Sequence, residues 1–349
     1  MNILILKPCC LGDVLMTTPL VATLRAAFPE ARIDYAVGAW ARPAVVTNPD
    51  VDEVLPLFEP APSRWGMLWG ALAAAWRLRR RRYDLAFIPE PSFFAHLTAY
   101  LAGVPRRFGI ASGARAMLLT DAVPDRLDRH EVDVYLALAE AAGLKRQLRR
   151  EMKYVPTQMA LERALQLLRG PGFDRLPFRV ALFPGGGANP GTTLFHKRWP
   201  AERFSLLAND LIERYGGGVI LLGDDSEQEL NFTIRNDIAH PVLDLTGMLD
   251  IDGMGAVMQL CDAVIANDTG PMHLAVSVGT PTVGIFGPTA ARNYGPYGDR
   301  HRAVQSNIWC GPCFKIGGPM EGCGAACMSR ITVGDLVSVL ETRPARAVG

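Results

Sequence analysis

The stretch AVIANDTGPMHLA, residues 263–275, runs from four apolar residues through a polar turn into a proline-led segment. Ala263–Ala266 has no polar position on either face, so it reads as a strand buried on both sides, as in a parallel sheet covered by helices. Pro271 suits the first position of a following helix, Pro271–Val278, because its missing N–H would have no partner there. The amides of Thr269, Gly270 and the next turn then stay open at a helix N-terminus. Such an end carries about half a positive charge and accepts a diphosphate. Asp268 stands against that reading, since a carboxylate repels phosphate, unless it caps the loop or binds hydroxyls of the donor. His273, one turn into the helix, is placed to hydrogen-bond a phosphate; a satisfied structural histidine is the alternative.

The same strand–loop–helix pattern extends outward in both directions. Strands are expected at Arg179–Phe183, Gly218–Leu222 and Thr282–Phe286, with helices at Pro200–Tyr215, Ser226–Ile238 and Met254–Cys261. The first half repeats it, with strands Ile3–Leu6, Arg32–Val37, Glu53–Leu57 and Asp84–Ile88. Helical stretches Val14–Phe28, Ala39–Val46, Trp65–Arg82, Ser92–Leu101 and Glu131–Ala142 lie between and after them. This alternation implies βαβ units and two α/β domains. A chain of 349 residues also exceeds one ordinary core. The expected division is 1–155, a linker 156–178 containing the helix Gln158–Leu168, and 179–349, whose last helix is free to pack back on the first domain.

A net charge of +1 argues against a nucleic-acid binder, which would carry a basic stripe. The N-terminus MNILILK reads as a buried strand and not a signal peptide, and no apolar run reaches the roughly 18 residues of a membrane span. Seven cysteines, an odd number, with Cys9, Cys10 and Cys261 in apolar or motif contexts, argue against a disulfide framework and for the cytoplasm.

Ligands of open parallel sheets bind beyond the carboxyl ends of the strands, and the informative loops sit there. After the first strand comes Lys7-Pro8-Cys9-Cys10-Leu11-Gly12-Asp13-Val14. Asp13 is either a helix N-cap or a carboxylate available as a general base. The usual glycine fingerprint of a dinucleotide site is missing from this loop. After Arg179–Phe183, the run Pro184-Gly185-Gly186-Gly187-Ala188-Asn189-Pro190-Gly191-Thr192-Thr193, with Lys197 shortly beyond, offers amides, hydroxyls and a point charge to a phosphate, or is an ordinary connector. Asp224 and Asp225, after Gly218–Leu222, suit a ribose diol or a helix cap equally.

These motifs together resemble the lipopolysaccharide heptosyltransferase family, glycosyltransferase family 9. The matching stretches are Lys7–Val14, Thr192–Pro200, Asn267–Ala275 and Gly284–Thr289, spanning both halves. The resemblance implies a GT-B fold, with two Rossmann-like doubly wound domains facing a central cleft. It also implies inverting transfer of heptose from ADP-heptose to a lipopolysaccharide-core or other cell-envelope glycan, without a catalytic metal or other cofactor. By motif position Asp13 matches the catalytic base. Thr192, Thr193 and Lys197 match donor-phosphate contacts, and Asp224/Asp225 lie near the ribose-contacting acid. Met248 resembles the residue lying against adenine, and Asp268, Thr269, Gly270 and His273 match phosphate and sugar contacts. A transferase of the same fold with another nucleotide sugar or a protein acceptor, and a GT-B-like sugar-nucleotide epimerase, are the alternatives. A non-catalytic binding protein is disfavoured, because both the base and the phosphate cluster are intact.

Cys9-Cys10 stands where the resembled family often has a Ser-Ser-like pair, a small-for-small change in the loop, and two further features stand out. Cys310, Cys313, Cys323 and Cys327 have spacing open to a structural zinc or iron site, or to free thiols. Trp65–Arg82 joins apolar residues to five terminal arginines, the composition of a helix lying peripherally on the inner face of the cytoplasmic membrane; a core-packed helix with a solvated basic end is the alternative.

Overall fold

The computed structural model describes residues 1–57, 63–125, 128–189, 192–313 and 323–341, with backbone alone for 64, 188, 189, 192 and 193. Two compact units divide the chain, Met1–Val155 and Pro156–Gly349.

In the first unit, strands β1 (Asn2–Leu6), β2 (Arg32–Val37), β3 (Glu53–Pro56), β4 (Leu85–Ile88), β5 (Arg106–Ile110) and β6 (Asp121–Val123) form one sheet in the order β3-β2-β1-β4-β5-β6. Every pairing is parallel. That is the doubly wound order, with its switch point between β1 and β4. Helices α1 (Leu11–Met16), α2 (Thr18–Ala27), α3 (Arg64–Arg79), α4 (Phe93–Leu101) and α5 (Glu131–Ala141) accompany it. The single helix expected over Val14–Phe28 is broken at Thr17. Pro19 has no N–H for the carbonyl of Leu15, and the Thr18 hydroxyl bonds that carbonyl instead, at 2.7 Å. The helix expected at Ala39–Val46 is a 3₁₀ turn over Ala39–Ala44, with Pro43 inside it.

The second unit repeats the plan. Helix α6 (Gln158–Arg169) precedes β7 (Arg179–Phe183), and β8 (Ala188–Asn189) pairs with β9 (Thr192–Thr193) as a small antiparallel ribbon. Then follow α7 (Ala201–Tyr215), β10 (Gly218–Leu221), α8 (Gln228–Asn236), β11 (Val242–Asp244), α9 (Ile251–Gln259), β12 (Ala263–Asn267), α10 (Gly270–Ser277), β13 (Thr282–Phe286), α11 (Ala291–Tyr294), β14 (Arg302–Gln305), α12 (Ala326–Arg330) and α13 (Val333–Glu341). Its sheet runs β11-β10-β7-β12-β13-β14, again parallel, with the switch point between β7 and β12. Val180, Leu182, Phe204, Val219, Ile265 and Ile285 belong to its core, joined by Leu336 and Leu340 of α13. The last described helix thus packs on its own unit; residues 342–349 lie outside the described part.

One polar group inside the first unit fixes local geometry. Asp34 on β2 has no exposed surface. It accepts hydrogen bonds from Arg32 Nε at 3.0 Å, Arg81 Nη1 at 3.2 Å and the Tyr83 hydroxyl at 2.7 Å. Arg81 also forks onto Glu53 of β3, at 2.6 and 2.7 Å. That hydrogen bond holds the Glu53 carboxyl below its ordinary range. The residues just after α3 are thereby pinned to the two outer strands. Removing Asp34 leaves the buried Tyr83 hydroxyl without its acceptor, at a cost of about 1–3 kcal/mol, while the two partly exposed arginines keep Glu53 and water. Asp34→Ala is expected to lower the unfolding free energy of this unit by about that amount in urea titrations; a loss below about 1 kcal/mol would show the network to be ornamental.

Candidate functional site

Both sheets gather polar groups at their switch points. In the second unit, β7 ends in the glycine loop and β12 ends at Asn267. The Asn267 carboxamide is fully buried. Its Nδ2 donates to the carbonyls of Pro184 at 2.6 Å and Gly185 at 3.1 Å, while Oδ1 accepts the Trp199 N–H at 3.0 Å. One side chain therefore ties together the loop after β7, the segment before α7 and the turn before α10.

The next residue explains an apparent conflict. Asp268 is buried and receives Lys197 Nζ at 2.7 Å and the Thr289 hydroxyl at 2.6 Å. Its charge is already matched by a lysine, which it fixes in place beside the loop. Thr269 is the N-cap of α10 and makes no side-chain capping bond, so the first amides of the helix are not taken by a cap. His273 is buried one turn in. Gly186 lies against Thr269: its φ of +99° is a left-handed conformation, and an added Cβ would come within 2.7 Å of Thr269 Cβ. Lys197, Asp268, Thr269, Gly270 and His273 are thus brought together. The side chains of Thr192 and Thr193 lie outside the described part, although their backbone forms β9 opposite Ala188 and Asn189.

Of the acidic pair, Asp224 is spent as an N-cap, accepting the Ser226 N–H at 2.8 Å and hydroxyl at 2.6 Å. Asp225 sits by Gly247, whose added Cβ would come within 2.4 Å of its Oδ1. Met248, next in sequence, is half exposed. The acid that the sequence reading missed is Glu227. It is buried, accepts the N–H of Gly186 and, at 3.0 Å, that of Asp224, and pairs with Arg198 at 3.5 Å. Burial raises its carboxyl above the ordinary range, the two amides opposing. The missed signal was the spacing Asp224-x-x-Glu227, a capping box, which the structure completes.

In the first unit Asp13 is not the N-cap; Cys10 holds that position. The Asp13 carboxylate is half-buried and lies 3.7 Å from Lys7 Nζ, whose other partner is Glu90 at 3.0 Å, after β4. Burial alone would lower the pKa of Lys7, but Glu90 and Asp13 outweigh it and hold the ammonium charged. The Lys7 ammonium also sits over the ring of Tyr135. Glu131, in the first turn of α5, completes the cluster: burial first, then the Asp13 charge, push its carboxyl up to about 7. Lys7, Glu90 and Glu131 had no role in the sequence reading, since only the fold sets them around Asp13. Cys9 and Cys10, read as small loop residues, are joined by a disulfide. A bond between chain neighbours closes no loop and builds no framework.

Cys327 and Met328 pack against Gly287, at the end of β13. Burial, then the charge of Cys323, raises the Cys313 thiol, so these two lie in one neighbourhood. Among the described residues, however, no three His, Cys, Asp or Glu side chains are grouped to hold a metal ion. Cys310, Cys313 and Cys323 are partly exposed, while Cys327 is buried under the Gly287 loop, its thiol raised by burial and then by the charges of Cys323 and Cys313. No described helix is long and apolar enough to cross a membrane.

Residues 71–323 match the profile of glycosyltransferase family 9 (heptosyltransferase). The chain is 28% identical over 322 residues to lipopolysaccharide heptosyltransferase 2 of Escherichia coli, covering 87% of this chain and 88% of that one. Its fold is similar to the crystal structure of a family 9 glycosyl transferase from Veillonella parvula, with a TM-score of 0.82 and 24% identity over 98% and 96% of the two chains. It is also similar to E. coli ADP-heptose lps heptosyltransferase II, with a TM-score of 0.75 and 25% identity over 98% of each.

Glu131 gives the first unit a pH signature. Its folded-state pKa of about 7 lies above its ordinary 4.5, so the fold binds the extra proton between those values. The stability this proton contributes is complete below about pH 4.5 and lost as pH rises toward 7. Glu131→Gln should therefore gain on the parent protein between pH 5 and pH 8, by about 1 kcal/mol or more. Denaturant midpoints of the two proteins that keep a constant gap across that range would remove the assignment.

Proposed function

The chain belongs to glycosyltransferase family 9, and on that premise we propose that it is an inverting enzyme moving heptose from ADP-heptose to a lipopolysaccharide-core or other cell-envelope glycan. The observation that carries the reading is the second unit's switch point. An open helix N-terminus, a glycine loop pressed against it and a lysine fixed by Asp268 converge there on one spot. Two relatives are named for this chemistry, lipopolysaccharide heptosyltransferase 2 and ADP-heptose lps heptosyltransferase II.

The donor's diphosphate lies against the amides of Thr269 and Gly270, with Lys197 and the threonines of β9 beside it. Charge that grows on the departing ADP meets donors already oriented, so little reorganisation is needed as the bond breaks. Asp268, held by Lys197 and Thr289, keeps the lysine aimed. The adenosine end runs toward Asp225, Gly247 and Met248, with Glu227 bracing the loop from beneath. Asp13 takes the proton from the acceptor hydroxyl, whose oxygen attacks the anomeric carbon from the face opposite ADP. The neighbouring Lys7 ammonium lies 3.7 Å from the Asp13 carboxylate and 3.0 Å from Glu90. With these cations in place, the step calls for no metal or other cofactor. We take the acceptor to be a glycolipid or glycan, met at the cytoplasmic face of the membrane.

Asp13→Asn is expected to keep ADP affinity and lose at least about a hundredfold in heptose transfer, the lower range for a general base. Lys197→Ala should weaken ADP-heptose more than adenosine. Near-normal turnover of the first variant, or equal losses for both ligands in the second, overturns these roles.

For Cys310, Cys313, Cys323 and Cys327 we assign thiols in place of structural zinc or iron. Elemental analysis of protein purified without chelators should find well under one metal per chain, and a value close to one reverses the assignment.

A further inference from the structure

Helix α3 is built inside out. Its inner face is small, with Ala71, Ala74 and Ala75 buried together with Leu78. Ala74 and Leu78 join a core with Leu4, Leu6 and Ile88. Its large aromatic residues face the other way: Trp65 is 73% exposed, Trp69 68% and Trp76 61%. The spacings 65, 69, 72 and 76 place the three tryptophans and Leu72 along one stripe. A core-packed helix with a solvated basic end would bury such residues. A helix apolar on both faces is ordinarily covered on both.

The neighbouring helix adds exposed rings of its own. Phe93 and Tyr100 of α4 are exposed, and the Arg107 guanidinium lies over the Tyr100 ring. Arg80 stacks on Trp76 at 3.9 Å. Residues 63–82 contain six arginines and no acid. Arg81 is committed to Glu53 and Asp34, but Arg77, Arg79, Arg80 and Arg82 are exposed. A groove of about 440 Å³ between the C-terminal half of α3 and the edge strand β3 is lined by Trp76, Arg77 and Arg80, and by Glu53, whose carboxylate is paired with Arg81.

We propose that the outer face of α3 and α4 is a docking surface for an anionic phospholipid bilayer. Exposed indole rings suit the headgroup level, where an apolar body and a polar N–H are both satisfied. Arginines beside them meet the phosphates, and the groove takes a headgroup. The 16 residues of α3 span about 24 Å, enough to lie along the interface and too short to cross it. Charge complementarity selects the occupant, because a second copy of the chain would set this acid-free arginine row against itself. The proposal rests, for its purpose, on the glycolipid-acceptor reading, since docking would bring the enzyme to its acceptor.

The test is flotation of the full chain with vesicles of phosphatidylglycerol and phosphatidylcholine, compared with phosphatidylcholine alone. Binding is expected to be at least roughly tenfold stronger on the anionic vesicles and to weaken with salt. The combined variant Trp65→Ser, Trp69→Ser, Trp76→Ser and the pair Arg77→Glu, Arg80→Glu should each lose most of it. All five side chains are exposed, so both variants should fold, and both should keep heptose transfer to a soluble acceptor stripped of its acyl chains. Equal flotation on both lipids, no flotation, or variants that float like the parent would overturn the proposal. So would a dimer, seen by sedimentation, that the tryptophan variant abolishes. Transfer by the parent protein to the soluble acceptor is read separately: its failure with docking intact removes the functional reading, and its success in a parent that does not float removes this one.

Discussion

The buried carboxamide of Asn267 is the joint on which the second unit's chemistry hangs. It uses both faces of its amide at once, giving hydrogens to two carbonyls of the glycine loop and taking one from Trp199. Loops that cross at a switch point carry backbone groups no strand can satisfy, and leaving those unpaired costs more than a hydrogen bond returns. The amide settles that problem and, in doing so, sets the distance between the loop after β7 and the start of α10. Asp268, Thr269 and the lysine that Asp268 receives inherit their positions from it.

The two units use one topology for opposite electrostatic ends. Both sheets have the order third, second, first, fourth, fifth, sixth, and both place their polar groups beyond the first and fourth strands. In the second unit that place holds open amides and a lysine, apt for a diphosphate. In the first it holds three carboxylates around one buried lysine, apt for handling a proton. Glycine does different work as well. Gly185 leaves room for Glu227, whose Oε1 stands 1.7 Å from where a Cβ would be. That absent methyl lets a carboxylate reach the underside of the loop.

Much of this was legible in the chain. The long buried strands β1, β7, β12 and β13 and the paired α/β layout follow from runs without polar interruption, and the Asn267–His273 motif named its own place after a strand. The outer strands β5, β6, β11 and β14 escaped, being short, half-exposed or rich in charge, as in Arg106-Arg107; they pair because a sheet edge is available. The break at Thr17 was hidden because an apolar pattern continues across it. Glu131 and Glu90 could not be singled out from spacing alone. Their importance comes from burial and from neighbours remote in sequence. Asp224 is the converse case: its place after a strand offered two roles, and the structure displays the capping one.

The distribution of indoles gives the molecule an optical asymmetry. Of six tryptophans, Trp40, Trp65, Trp69, Trp76 and Trp309 are exposed, and Trp199 alone is buried. Trp199 bonds its indole N–H to the carbonyl of Ile331 at 2.9 Å and packs edge-on against Phe204. Its emission should lie at shorter wavelength than that of the other five and be shielded from soluble quenchers. Iodide would then silence the exposed rings and leave one lamp, lodged beside Asn267, whose colour follows the second unit alone.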